Sequence, residues 1–135
     1  MSTHKASAVT IDEFSLPRGR NATGALLAAT LMILSARRRF IEPGSLLHDQ
    51  VIARSGARVA KYSRPVQDAI FYTLYGLHGV GTVYFALTKL KKHNVKILSP
   101  VWFQWILAAF FGGSFATKHF DEEVEKKELK TIKEI

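Results

Sequence analysis

The sequence predicts an all-α, multi-span integral membrane protein with three transmembrane helices in a small bundle. Three observations carry that expectation. Between Asp68 and Lys89 lie 20 residues without Asp, Glu, Lys or Arg, and between Lys96 and Lys118 lie 21 more. Each run meets the roughly 20 apolar residues that a helix needs to cross hydrocarbon. A third run, Asn21 to Ala36, is bracketed by Arg20 and Arg37. The rival arrangement, two buried helices of a soluble bundle, fits less well. Such helices show a polar face every turn, and a chain of 135 residues has little protein to cover two fully apolar ones.

Residues 1–20 form a polar segment with Asp12, Glu13 and no early apolar core. That is neither a cleaved signal peptide nor a basic presequence, so the first span is expected to act as its own insertion signal. Span one, 21–36, makes about 24 Å of helix, short unless its flanking arginines snorkel. The basic loop 37–65 places Val51, Ile52, Val59 and Tyr62 near one side with Arg54, Arg58 and Lys61 beside them, an interfacial helix interrupted by Gly56. Span two, 66–88, is expected to start with Pro65 in its first turn and Asp68 facing the positive end of the helix dipole. A tight basic loop, 89–99, leads to span three, 100–117, with Ser99 as its cap and Pro100 behind it. The membrane domain thus covers 21–120. The charged tail 121–135 pairs Glu122 with Lys126 and Glu123 with Lys127 at helical spacing, a solvated helix or a docking element.

The net charge of +8 does not point to nucleic acid, because its cations sit beside the apolar runs as topology and headgroup anchors. Seven Lys or Arg residues in the loop 37–65 place it in the cytosol, and a hairpin of spans two and three would put the tail on the same side. The four lysines of "KLKKHNVK" oppose this orientation. If span one crosses, the sequon Asn21-Ala22-Thr23 faces the lumen at the membrane edge, out of reach of glycosylation. No cysteine is present, so disulfides, thiol catalysis and cysteine metal sites are excluded.

At 100° per residue, Asp68, Tyr72, Tyr75, Gly79, Thr82 and Ala86 share one arc of span two, with His78 at its edge. Polar groups inside a membrane need a partner or water, so this arc is expected to face the bundle interior as a polar or lipid-headgroup site with Gln104. In span three, Ala108 to Gly112 and Gly112 to Ala116 are small-xxx-small pairs. With Gly79 they predict close helix packing. His78 has three open roles: a hydrogen bond to Gln104 or to a backbone carbonyl, a proton or headgroup role, and metal ligation. The last is the poorest, since His4, His48, His93 and His119 fall in terminal or loop regions and no carboxylate lies near His78 in span two. Trp102 and Trp105 stand where interface aromatics belong.

"LHGVGTVYFAL", a short basic loop and "WFQWILAAFFGGSFA" together resemble the transmembrane protein 254 family, small three-span eukaryotic proteins sharing a domain of unknown function. The resemblance covers roughly residues 42–120, with His78, Thr82 and Tyr84 at matching offsets. It departs at Gly81, where an acidic residue often stands in the family, so a His–carboxylate pair is unsupported. The resemblance implies three spans and the endoplasmic reticulum, with no established activity and no cofactor.

These features yield two expectations of function. One is a non-catalytic interaction or accessory subunit whose partner is another membrane protein or a second copy. The other is a lipid- or sterol-binding protein assisting a membrane-bound lipid-metabolising enzyme. An independent enzyme is the weakest, because span two offers only His78 and Asp68 as titratable groups, and "GLHGVG" follows apolar helix, not a strand.

Overall fold

In the computed structural model, which describes residues 8–133, the chain is all-helical. Helix α1 spans Gly19–Ala36 and stops where Arg37 turns extended. A 3₁₀ turn at Arg38–Phe40 and a short helical stretch follow. The Ser45 hydroxyl opens that stretch by accepting from the His48 N–H at 3.1 Å. It closes at Gly56, whose φ of 106° is open to glycine and strained for other residues.

Helix α2 begins directly after Gly56 and runs Ala57–Phe85, continuing through a wider π turn at Ala86–Leu90. The expected start at Pro65 is therefore wrong by eight residues. Ala57 to Arg64 are mostly good helix formers that extend the helix backwards. Pro65 then lies inside α2, and the Lys61 carbonyl it leaves without a partner is on an exposed turn. Ala57–Leu90, 34 residues, is the one described helix long and apolar enough to cross a membrane.

Helix α3 covers Pro100–Gly112. The Ser99 hydroxyl caps it by accepting from the Trp102 N–H at 3.1 Å, with Pro100 in the first turn, as the sequence predicts. The third span does not continue to residue 117. Gly113, at φ 57° and ψ −138°, ends α3, and α4 restarts at once as Ser114–Lys133. The chain reverses there, because the rings of Trp105 and Phe120 are 4.9 Å apart. A continuous helix would separate those residues by about 22 Å.

This reversal corrects the expected topology. Asp121 pairs with Lys89 at 2.7 Å and Lys127 with Asp12 at 2.8 Å, so α4 lies with the loop after α2 and away from the basic loop 37–56. The apolar core sits at that end, built from Phe85 and Leu90 of α2, Trp105 and Ala109 of α3, Phe120 and Val124 of α4, with Ile11 and Val95. The described part of the polar N-terminal segment crosses this core. The Ile11 N–H donates to the His93 carbonyl at 3.0 Å, the His93 Nδ1 to the Val9 carbonyl at 2.9 Å, and the Trp105 indole to the Glu13 carbonyl at 3.3 Å. Residues 1–7 and 134–135, including His4 and the end of the "IKEI" tail, lie outside the described residues.

Candidate functional site

One face of α2 carries Gln67, Tyr75 and His78, and each donates to a backbone carbonyl of a neighbouring helix or its end. Helices leave their last carbonyls without intrahelical partners. Gln67, only 5 % exposed, covers the end of α1: its Nε2 donates to the Leu34 carbonyl at 2.9 Å and the Arg37 carbonyl at 2.7 Å. Tyr75 donates its hydroxyl to the Met32 carbonyl at 3.0 Å. His78 Nδ1 lies 2.7 Å from the Phe110 carbonyl oxygen, which the turn at Gly113 leaves without its usual donor. A carbonyl has only lone pairs, so this bond places the proton on Nδ1. The fully buried Met32 adds its sulfur 3.0 Å from the same nitrogen.

Of the expected polar arc, the structure brings together only Tyr75 and His78, around Met32 and Phe110. Thr82, one turn on, is buried, and its hydroxyl finds no hydrogen-bond partner among the described residues. Asp68 is an ion-pair partner of Arg38 at 3.0 Å and no helix cap, since α2 starts eleven residues earlier. Tyr72 is 73 % exposed, and Gln104 lies on the exposed side of α3. The expected site with Gln104 is not assembled, because Gln104 and the His78 partner Phe110 are six residues apart on α3 and face different ways.

The packing glycines also differ from expectation. At Gly79 the space a side chain would enter is open to 4 Å, so no other described helix packs into it. Gly112 does pack closely: a Cβ there would sit 3.1 Å from the Ala25 Cβ and 2.9 Å from that of Ala116. Ala116 is buried and Ala108 half-buried. Gly24, not foreseen, receives the Phe115 ring in the space a side chain would fill. The reason is shared: α1 lies against the α3–α4 turn, and small residues let the backbones approach there.

A second polar cluster fastens the N-terminal segment to α4. The Ser15 hydroxyl donates to Glu123, and His119 Nε2 lies 3.0 Å from both the Ser15 hydroxyl and the Ser15 carbonyl. The residue types evoke a Ser–His–acid triad, but the roles do not match. One ring nitrogen faces both Ser15 and Glu123, and its proton is given to the Ser15 carbonyl, so that nitrogen cannot take a proton from the hydroxyl. The hydroxyl bond holds the Glu123 carboxyl below its ordinary range. His93 and His119, expected in loop or terminal positions, are buried and bonded, while His48 pairs with Asp49 at 3.0 Å. No described cluster of His, Asp or Glu could hold a metal ion.

Compared with family models, curated proteins and solved structures, the chain matches none of them. The likeness to the transmembrane protein 254 family therefore stands on the quoted residues alone.

Proposed function

We propose that this chain is a small non-catalytic membrane protein acting as an interaction or accessory subunit, with α2 crossing the bilayer. The observation that carries the reading is the bare surface of α2: in its most apolar stretch only 11 % is buried. Leu77, Val80, Val83, Tyr84 and Leu87 are all more than half exposed there. A core helix of a soluble protein would be covered, and a surface this apolar is stable against lipid or another protein. Beside α2, α1 supplies about 27 Å of helix and α3 about 20 Å. The α3–α4 hairpin then dips into the bilayer in place of a third full span. Gly112 and Phe115 of its turn pack on Ala25 and Gly24 of α1, and His78 satisfies the Phe110 carbonyl, the condition for breaking a helix at membrane depth. The positive-inside bias puts the basic loop in the cytosol. The endoplasmic reticulum is the compartment that the family resemblance favours.

The test is alkaline extraction followed by purification at native expression in mild detergent, with two glycine variants. The chain should stay with the membrane and bring down a stoichiometric protein or a second copy. Gly79→Leu should remove that partner without unfolding the chain, because the space its side chain would enter is open. Gly112→Leu should unfold it. A chain that stays alone, with Gly79→Leu silent, overturns the subunit reading.

A second reading, lipid binding, is favoured by two cavities of about 420 and 440 Å³ on the lipid-facing body. Both fall in the range of ligand sites.

A further inference from the structure

The geometry points to the groove between the end of α1 and the start of α2 as a site for one acyl chain of an anionic phospholipid, with its headgroup on Arg58. This rests on the lipid-binding reading. The groove encloses about 420 Å³, walled by Leu31, Leu34, Ile52, Val66 and Ile70. Away from the Arg58 end, where the exposed Tyr62 also lies, its polar side chains Gln67, Ser35 and Ser63 are already committed, Ser63 to the Ala60 carbonyl at 2.8 Å. Gln67 donates to two carbonyls and accepts from Arg38 at 3.0 Å, and the Ser35 hydroxyl donates to the Met32 carbonyl at 3.0 Å. Beyond Arg58 and Tyr62 the walls have nothing left to give a polar ligand and match hydrocarbon.

Along α2 the groove extends from Arg58 to Ile70, about 18 Å of helix. One end is a cation and the other is apolar, the same grading as a phospholipid from headgroup to tail. Arg58 is exposed and makes no ion pair among the described residues. Of the nearby acids, Asp68 is occupied by Arg38 and Asp49 by His48, while Glu42 lines the adjoining cavity beside Arg64. Arg54, Lys61 and Arg64 leave the surroundings positive. The exposed cation at one end and the apolar walls beyond it are the features that fit an anionic lipid here.

The full chain in phosphatidylcholine nanodiscs, doped with a phosphatidylserine bearing a photoreactive acyl chain, tests the assignment. Labelling should map to Leu31, Leu34 or Ile70. Arg58→Gln should lower it about fivefold, the effect of one cation near an anionic headgroup. Lys61→Gln, which removes the same charge away from the groove, should leave it unchanged. Ile70→Trp should abolish it by filling the space, and Val66→Trp at the half-exposed lip gives the same readout if Ile70→Trp fails to fold. Labelling spread evenly along α2, an equal loss in Lys61→Gln, equal labelling by a phosphatidylcholine probe, or cross-links between two copies at this face each overturn the site. If alkaline extraction releases the chain, the membrane reading itself falls. If the chain stays integrated but labels evenly, only the groove falls.

Discussion

His78 Nδ1 lies 2.7 Å from the carbonyl oxygen of Phe110, across the gap between α2 and the point where α3 breaks. An ionisable ring in an apolar run is thus explained by the backbone of another helix. The turn at Gly113 strands a carbonyl, and His78 is the donor within reach.

His78→Ala should therefore lower stability by about 1–2 kcal/mol, the range for a hydrogen bond between helices in an apolar surround. Thermal unfolding in detergent measures it. An unchanged melting temperature would mean that the Phe110 carbonyl finds another donor.

The reversal at Gly113 is read most directly by distance. Spin labels at the exposed positions Gln104 and Glu122 should lie well below the about 27 Å of a straight helix. Gly113→Ala should lengthen that distance or unfold the chain. The φ of 57° with ψ of −138° is nearly restricted to glycine, and a Cβ would meet the His78 ring at 2.7 Å.

Gln67→Leu removes two hydrogen bonds from the end of α1 and one from Arg38. The expected loss is about 2–3 kcal/mol, because two partly buried carbonyls lose their donor and Arg38 an acceptor. Amide exchange in the last turn of α1 and in the 3₁₀ turn after it should accelerate ahead of the remainder of the chain.

Acid should loosen the N-terminal segment. Glu123 is lowered from 4.5, chiefly by the Ser15 hydroxyl, and Asp12 from 3.8, chiefly by its hydrogen bond to Lys127. A carboxyl with a depressed folded pKa stabilises fully above its unfolded value. That stabilisation fades as pH falls below about 4.5 through the lower folded pKa. Trp105 fluorescence, sensitive to the Glu13 carbonyl on its indole, should change in that window. Ser15→Ala should shift the change to higher pH.

The sequence made the helices legible where composition alone decides them. The charge-free run after Asp68 lies in α2, and Ser99 with Pro100 marks the start of α3. It misled where a local signal met tertiary context. Pro65 has the chemistry of a first turn, yet Gly56 supplies the actual break, and nothing in Pro65 itself announces that the preceding turn will be helical. The small-residue spacing marks Gly112 as a packing residue, and it packs, but nothing in the pattern marks its neighbour Gly113 as the residue that reverses the chain. The role of Gln67 is not legible because the acceptors of its amide are backbone carbonyls, which leave no mark in a sequence, and that of Arg38 because Asp68 and Gln67 meet it only through the fold.

The strap laid across the core by residues 9–15 also orders events in time. Thr10 gives its carbonyl to Lys127, 117 positions further on. Contacts of such separation close late, since the long loop between them must first be gathered. During synthesis residues 9–15 must therefore wait until Lys127 has been made. Until α4 has emerged and turned back, Trp105 and Ile11 have no completed shelter, and a chaperone has its longest opportunity to meet them.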